Sequence, residues 1–107
     1  MTTIQTLLQQ AKKIHFMGIG GSSMSSLAQI ALRRGYAVSG SDMQSGEMTD
    51  RLAALGISVR IGQKAENIDA EAPDMVVMTD AISETNPELL RAKERNIPVF
   101  RRAEFLG

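Results

Sequence analysis

Ile14-His15-Phe16-Met17-Gly18-Ile19-Gly20-Gly21-Ser22-Ser23-Met24 sets a short apolar run directly against a glycine turn and the start of a helix. This is the layout of a phosphate-binding βα turn. Backbone approaches a ligand oxygen closely only where there is no Cβ, and the first amides of a helix have no partner inside it, so a diphosphate fits there. Gly18, Gly20 and Gly21 are more glycine than a plain strand-to-helix turn needs. The match to G-x-G-x-x-G is partial, because Ser23 occupies the third glycine position, where it is expected to hold the helix slightly farther from the strand. Asp42 strengthens it. That residue ends the next apolar run roughly 20 positions on, where such folds place a carboxylate that accepts hydrogen bonds from ribose hydroxyls.

The rest of the chain reads outward from this turn. Three amphipathic segments close on a residue that tolerates positive φ, namely Gly35, Gly56 and Asn96, and each is followed by a β-branched run. Those runs, Tyr36–Ser39, Ile57–Ile61 and Ile97–Phe100, are expected strands. After Ser22, Met24, Leu27, Ala28, Ile30, Ala31 and Leu32 form one broad apolar face, with Arg33 and Arg34 in the last turn. Met48, Leu52 and Leu55 form a second stripe. A third helix opens with Asn86 as N-cap and Pro87 at the first helical position, its inward face expected at Leu89, Leu90 and Ala92.

Between the second and third helices, Asp74–Thr79 is a near-continuous apolar run, the signature of a strand covered on both faces. Segment Gln63–Pro73 is polar and lacks a clear period, with a short helical turn expected only over Ala65–Ile68. Ile4–Ala11 reads as a covering helix before the first strand. Strands and helices therefore alternate, giving an α/β, Rossmann-like, doubly wound parallel five-stranded sheet in the order 3-2-1-4-5. Ligands of such sheets bind at the carboxyl ends of strands 1 and 4, where the winding reverses.

Bulk composition narrows the function. A chain of 107 residues is one domain with a single modest core. Twelve basic and twelve acidic residues cancel, with no long Lys/Arg run, which argues against nucleic acid and anionic membrane surfaces as partners. There is no cysteine, hence no disulfide frame or thiolate metal site, and a reducing cytoplasm suits the chain. No apolar stretch approaches the roughly 18 to 20 residues of a membrane span. The seven methionines read as core filler.

Several residues have competing readings. His15, the only histidine, lies within the first strand, where a packed, hydrogen-bonded structural role is commoner than catalysis. Asp80, in the loop Thr79–Ser83 across the switch point, would be repelled by a diphosphate and is expected to point away or meet a sugar hydroxyl. Arg101 and Arg102 follow the last strand at the end where a phosphate or sugar favours a cation. No lysine follows a glycine, so the ATP-binding G-x-x-x-x-G-K-[ST] loop is absent, and no self-sufficient catalytic constellation is present. The residues alone point to a nucleotide-binding domain that could equally serve a regulatory NAD(H)-binding module or a truncated oxidoreductase.

Four ordered stretches carry a family resemblance: His15–Ser25, Val38–Asp42, Ala81–Ser83 with Asn86-Pro87-Glu88, and Ile97–Glu104. From Ile14 to Leu106 the chain resembles the N-terminal domain of the Mur ligases of peptidoglycan synthesis, nearest the branch that joins L-alanine. That resemblance implies a Rossmann-like domain holding the UDP portion of UDP-N-acetylmuramate, with residues 1–107 as one such domain of a longer three-domain enzyme. A central domain with a P-loop would bind ATP and magnesium. A C-terminal domain would help bind L-alanine, whose amine attacks an acyl phosphate formed on the muramoyl carboxylate. The chain alone would perform no ligation. By position, Gly18, Ile19, Gly20, Gly21, Ser22, Ser23 and Met24 would face the diphosphate, and Ser41 and Asp42 the uridine. Thr79, Asp80, Ala81 and Ile82 would line the diphosphate and sugar side, with Arg102 shaping the substrate end. The chain departs from the family pattern at Ser23, which replaces a glycine, and at Thr79-Asp80, where paired serines are typical.

Overall fold

In the computed structural model, which describes residues 3–106, five parallel strands lie in the order β3-β2-β1-β4-β5. They are β1 (Lys13–Met17), β2 (Ala37–Asp42), β3 (Ser58–Ile61), β4 (Met75–Met78) and β5 (Val99–Arg101). The expected order is the observed one. Helices α1 (Thr3–Gln10), α2 (Ser22–Arg33), α3 (Glu47–Ala54), α4 (Ala65–Glu71), α5 (Pro87–Glu94) and α6 (Arg102–Leu106) fill the connections. Gly35, Gly56 and Asn96 all adopt positive φ, at 97°, 99° and 60°, and close α2, α3 and α5 as their positions predict. The Asn86 side chain accepts from the amides of Glu88 and Leu89, and Pro87 occupies the first turn.

Register places Phe16 beside Gly40, and Met17 beside Ser41 on one side and Met78 on the other. Alternation then divides β1 between two layers. Ile14 and Phe16 join Met24, Leu27, Ala28, Ala31, Val38, Leu52 and Ile57 in the larger core, with α1 and α6 adding Leu7, Leu8 and Phe105. His15 and Met17 face the other side. There Met17, Ile68, Val76, Leu89 and Ala92 form a smaller core beneath α4 and α5.

Five expectations change. Helix α4 runs on to Glu71 rather than stopping at Ile68, because its inward face is anchored by polar side chains: Asn67 and Glu71 are buried beside Ile68. Leu90 is 48% exposed, and Glu88 joins Leu89 and Ala92 on the buried face of that helix instead. Ile30 and Leu55, assigned to apolar faces, are also largely exposed. Strand β2 begins at Ala37 and extends to Asp42, while Tyr36 stays outside it and donates its hydroxyl to the Leu8 carbonyl, pinning α1. Helix α6 was not anticipated; Phe105 brings it down edge-on to Phe16, with ring centres 6.2 Å apart at 86°.

Candidate functional site

The glycine turn sits where β1 ends and α2 begins, and its own amides are already committed. Gly18 and Ile19 both donate to the Ser41 carbonyl, at 2.8 and 3.0 Å, and Gly21 donates to Gly18 at 3.2 Å. Gly20 donates to Asp42 Oδ2 at 2.9 Å. The donors left over lie one step further on. Gly21, the N-cap of α2, offers no side-chain bond, and the amides of Ser22, Ser23 and Met24 find no acceptor among the described residues. Three unpaired N–H groups at the positive end of a twelve-residue helix are an arrangement that suits an anion.

The glycines do different work from these donors. Gly18, at φ 83°, is where a Cβ would lie 3.0 Å from Thr79 Cγ2, so β1 and β4 close up at the switch point as anticipated. A Cβ on Gly20 would meet Asp42 Oδ2 at 2.8 Å and break the carboxylate's grip on the turn. Gly40, which sequence reasoning passed over, is the most demanding: a Cβ there would lie 2.5 Å from Ile19 Cδ1 and 2.6 Å from the Phe16 carbonyl. Ile19 fills the space above Gly40, and this contact fixes the turn against β2.

The proposed contact residues divide accordingly. Ile19, Met24 and Ser41 are buried, so only their main chain can face a ligand, and the amide of Ile19 and the carbonyl of Ser41 bond to one another. Gly18 and Gly20 shape the turn. Ser22 and Ser23 are exposed at the helix start. Ser23 points outward, so the glycine it replaces costs no packing between α2 and the sheet, contrary to expectation. Asp42 is half-buried, and besides Gly20 it accepts a long bond from the Gln44 amide, 3.3 Å.

Two shallow concavities adjoin the helix start. One, of about 370 Å³, is lined by Gly20, Gly21, Asp42, Gln44, Gly46 and Thr49 among others. The second, of about 420 Å³, is lined by Ser22, Ser23, Ser26, Leu27, Ile30 and Arg102. Arg102 thus stands beside the free amides of α2, although it belongs to the last helix. Asp80 is exposed and lies 3.8 Å from Arg101, turned toward that cation. Ala81 is exposed, whereas Ile82 packs on the smaller core.

Under the turn lies a polar cluster that sequence reasoning missed. Glu88, wholly buried, accepts from Ser41 Oγ at 2.6 Å, His15 Nε2 at 3.1 Å and Asn67 Nδ2 at 2.5 Å. The other ring nitrogen of His15 bonds Ser39 Oγ at 2.8 Å. Burial alone would raise the Glu88 pKa, but the donors from His15, Ser41 and Asn67 outweigh it and hold the carboxyl below its ordinary value. An ionised acceptor-only carboxylate requires the imidazole proton on Nε2. His15 is therefore a satisfied structural residue, as its strand position implies. The signal that could have revealed the cluster is periodic: His15, Ser39 and Ser41 put polar groups on one face of strands otherwise buried on both sides.

Residues 13–107 match the model of the Mur ligase family, catalytic domain. The chain belongs to the Mur ligase family. Among Mur ligases, the UDP-N-acetylmuramate--L-alanine ligase of Clostridium kluyveri is 57% identical over 96 residues, covering 90% of this chain and 21% of that protein. The crystal structure of UDP-N-acetylmuramate-alanine ligase from Thermotoga maritima superimposes with a TM-score of 0.84 at 37% identity, over 88% of this chain and 21% of that one. UDP-N-acetylmuramate:L-alanyl-gamma-D-glutamyl-meso-diaminopimelate ligase from Neisseria meningitides gives 0.82 at 32% identity, over 89% and 30%. The chain spans about a fifth of the length of the curated Mur ligases it matches. No helix among the described residues is long and apolar enough to cross a membrane.

Proposed function

We propose that this chain is the UDP-substrate-binding, N-terminal domain of a three-domain UDP-N-acetylmuramate:L-alanine ligase, with residues 1–107 as one domain. The observation that carries it is the trio of unpaired amides of Ser22, Ser23 and Met24 between two concavities, one bearing Asp42 and the other Arg102. In this reading the amides hold the diphosphate, while Gly18, Gly20 and Gly21 keep the approach clear and the turn closed. Asp42 keeps lone pairs free beyond its bond to Gly20 and accepts from the nucleoside hydroxyls. Thr79, Asp80, Ala81, Ile82 and Arg102 border the sugar side, and Ile19 and Ser41 support the turn from behind.

ATP and magnesium belong elsewhere in such an enzyme, since no lysine here follows a glycine and the residues present do not make a P-loop. L-Alanine likewise meets the substrate on other domains, in the cytoplasm. Among the solved structures the L-alanine-adding ligase is 37% identical and the tripeptide ligase 32%, and curated L-alanine ligases reach 57%, which favours that branch over tripeptide recycling. Both relatives' names share UDP-N-acetylmuramate.

Thermal melting of the chain with UDP-N-acetylmuramate, UDP or NADH tests this reading. A ligand at about 100 times its Kd adds roughly 2.7 kcal/mol, and each kcal/mol moves Tm by about 4 to 8 °C in a domain near this size. The two uridine ligands are expected to stabilise, and Asp42→Ala to abolish most of the UDP effect. Stabilisation by NADH alone overturns the reading in favour of a dinucleotide module.

A further inference from the structure

Two buried carboxylates lie under α4 and α5, and they hold opposite ends of the sheet. Glu71 takes Lys13 Nζ, Ser58 Oγ and Arg60 Nε at 2.6 to 2.7 Å; Lys13 and Ser58 are the first residues of their strands. Glu88 instead faces the carboxyl ends. Its Oε2 holds the Ser41 hydroxyl, and Oε1 holds Asn67. Asn67 Nδ2 also donates to the Gly62 carbonyl at 2.8 Å, and the Gly62 amide donates to the Asp42 carbonyl at 2.7 Å. The path closes on itself: Glu88, Ser41, Asp42, Gly62, Asn67, Glu88.

Every hydrogen bond that ties the glycine turn to β2 ends on this ring. The Ser41 carbonyl receives Gly18 and Ile19, and the Asp42 carboxylate receives Gly20. Apolar side chains of equal volume would fill the space beneath the sheet at no desolvation cost, so the buried carboxylate is a poor choice for stability alone. What it supplies is direction, because each of its oxygens accepts only along defined lines and a satisfied ring of such bonds has one arrangement.

We propose that Glu88 is a positioning residue of the nucleotide site, clamping the ends of β2 and β3 so that Asp42 and the glycine turn are preset for the diphosphate and nucleoside. This rests on the function proposed above. Glu88 lies on the far side of the sheet from α2 and does not touch the ligand. It acts through Ser41 and Asp42.

The test compares Glu88→Gln with Glu71→Gln in the same chain, at a temperature where circular dichroism shows both fully folded. Two readouts are taken: hydrogen exchange of the Gly20 amide without ligand, and the Kd for UDP. Leaving buried donors of Ser41 and His15 facing an amide is expected to speed Gly20 exchange and weaken UDP by roughly tenfold each. Glu71→Gln is expected to leave both as in the unmodified chain. Should Glu88→Gln not fold, Ser41→Ala removes a single link of the ring and is expected to shift both readouts in the same direction by a smaller factor. Unchanged Gly20 exchange in the folded variant, or an equal change in Glu71→Gln, overturns the clamp. Failure of the unmodified chain to bind UDP, with Gly20 exchange still raised by Glu88→Gln, overturns the nucleotide reading and supports the clamp.

Discussion

The face of the sheet under α2 and α3 is closed mainly by hydrocarbon, whereas the face under α4 and α5 mixes apolar side chains with two carboxylates and their donors. On the first, Ile14, Phe16, Leu27, Val38 and Leu52 interlock without a polar atom among them. On the second, five apolar residues share the space with His15, Ser39, Ser41, Asn67, Glu71 and Glu88. No buried side-chain polar atom among the described residues lacks a partner. Hydrocarbon burial is non-directional and tolerates small slips, while a satisfied polar network permits one geometry. The glycine turn is thus packed from above by oil and aimed from below by hydrogen bonds.

Removing the largest piece of the apolar face should cost most. Phe16→Ala vacates a fully buried ring and its edge contact with Phe105, and urea unfolding is expected to lose about 3 to 5 kcal/mol. A loss under about 1 kcal/mol would erase the distinction between the faces. Next comes Glu71→Gln. Burial opposes ionisation of Glu71, yet Lys13, Ser58 and Arg60 bring its pKa down to about 2. A carboxyl depressed on folding stabilises above its ordinary value of 4.5 and loses that contribution as pH falls toward 2. The variant should be weaker by about 2 kcal/mol at neutral pH. Melting across the acid range should show the gap closing; a gap independent of pH would contradict the ion-pair origin. Smallest is Asn86→Ala, which strips the cap from α5 and is expected to cost about 1 kcal/mol, read as a Tm drop of about 4 to 8 °C.

Legibility divided by the kind of signal rather than by face. Strand order, the three positive-φ helix ends and the Asn86 cap were readable because each depends on local chemistry or on apolar periodicity, and the larger core is built of both. Helix α4 was underestimated since its buried side is Asn67, Ile68 and Glu71, a pattern no hydrophobic period detects. Glu88, an acid next to Pro87 in the chain, is wholly buried in α5, which apolar periodicity does not signal. The strand-to-helix turn was readable, and the structure divides its amides: those of the glycines serve the fold, while those of Ser22, Ser23 and Met24 stay unpaired among the described residues. Such a distinction depends on which carbonyl reaches which amide across the sheet, information that spacing along the chain does not contain.

The partners of His15 are 24 residues away in Ser39 and 73 away in Glu88. During biosynthesis, then, the central strand emerges long before the acid that completes its polar side, and a ribosome-held chain lacking α5 carries an imidazole and two hydroxyls down the middle of an unfinished sheet. Closing that seam waits for α5, so the polar side of the central strand is completed only after β1, β2 and β4 have been made.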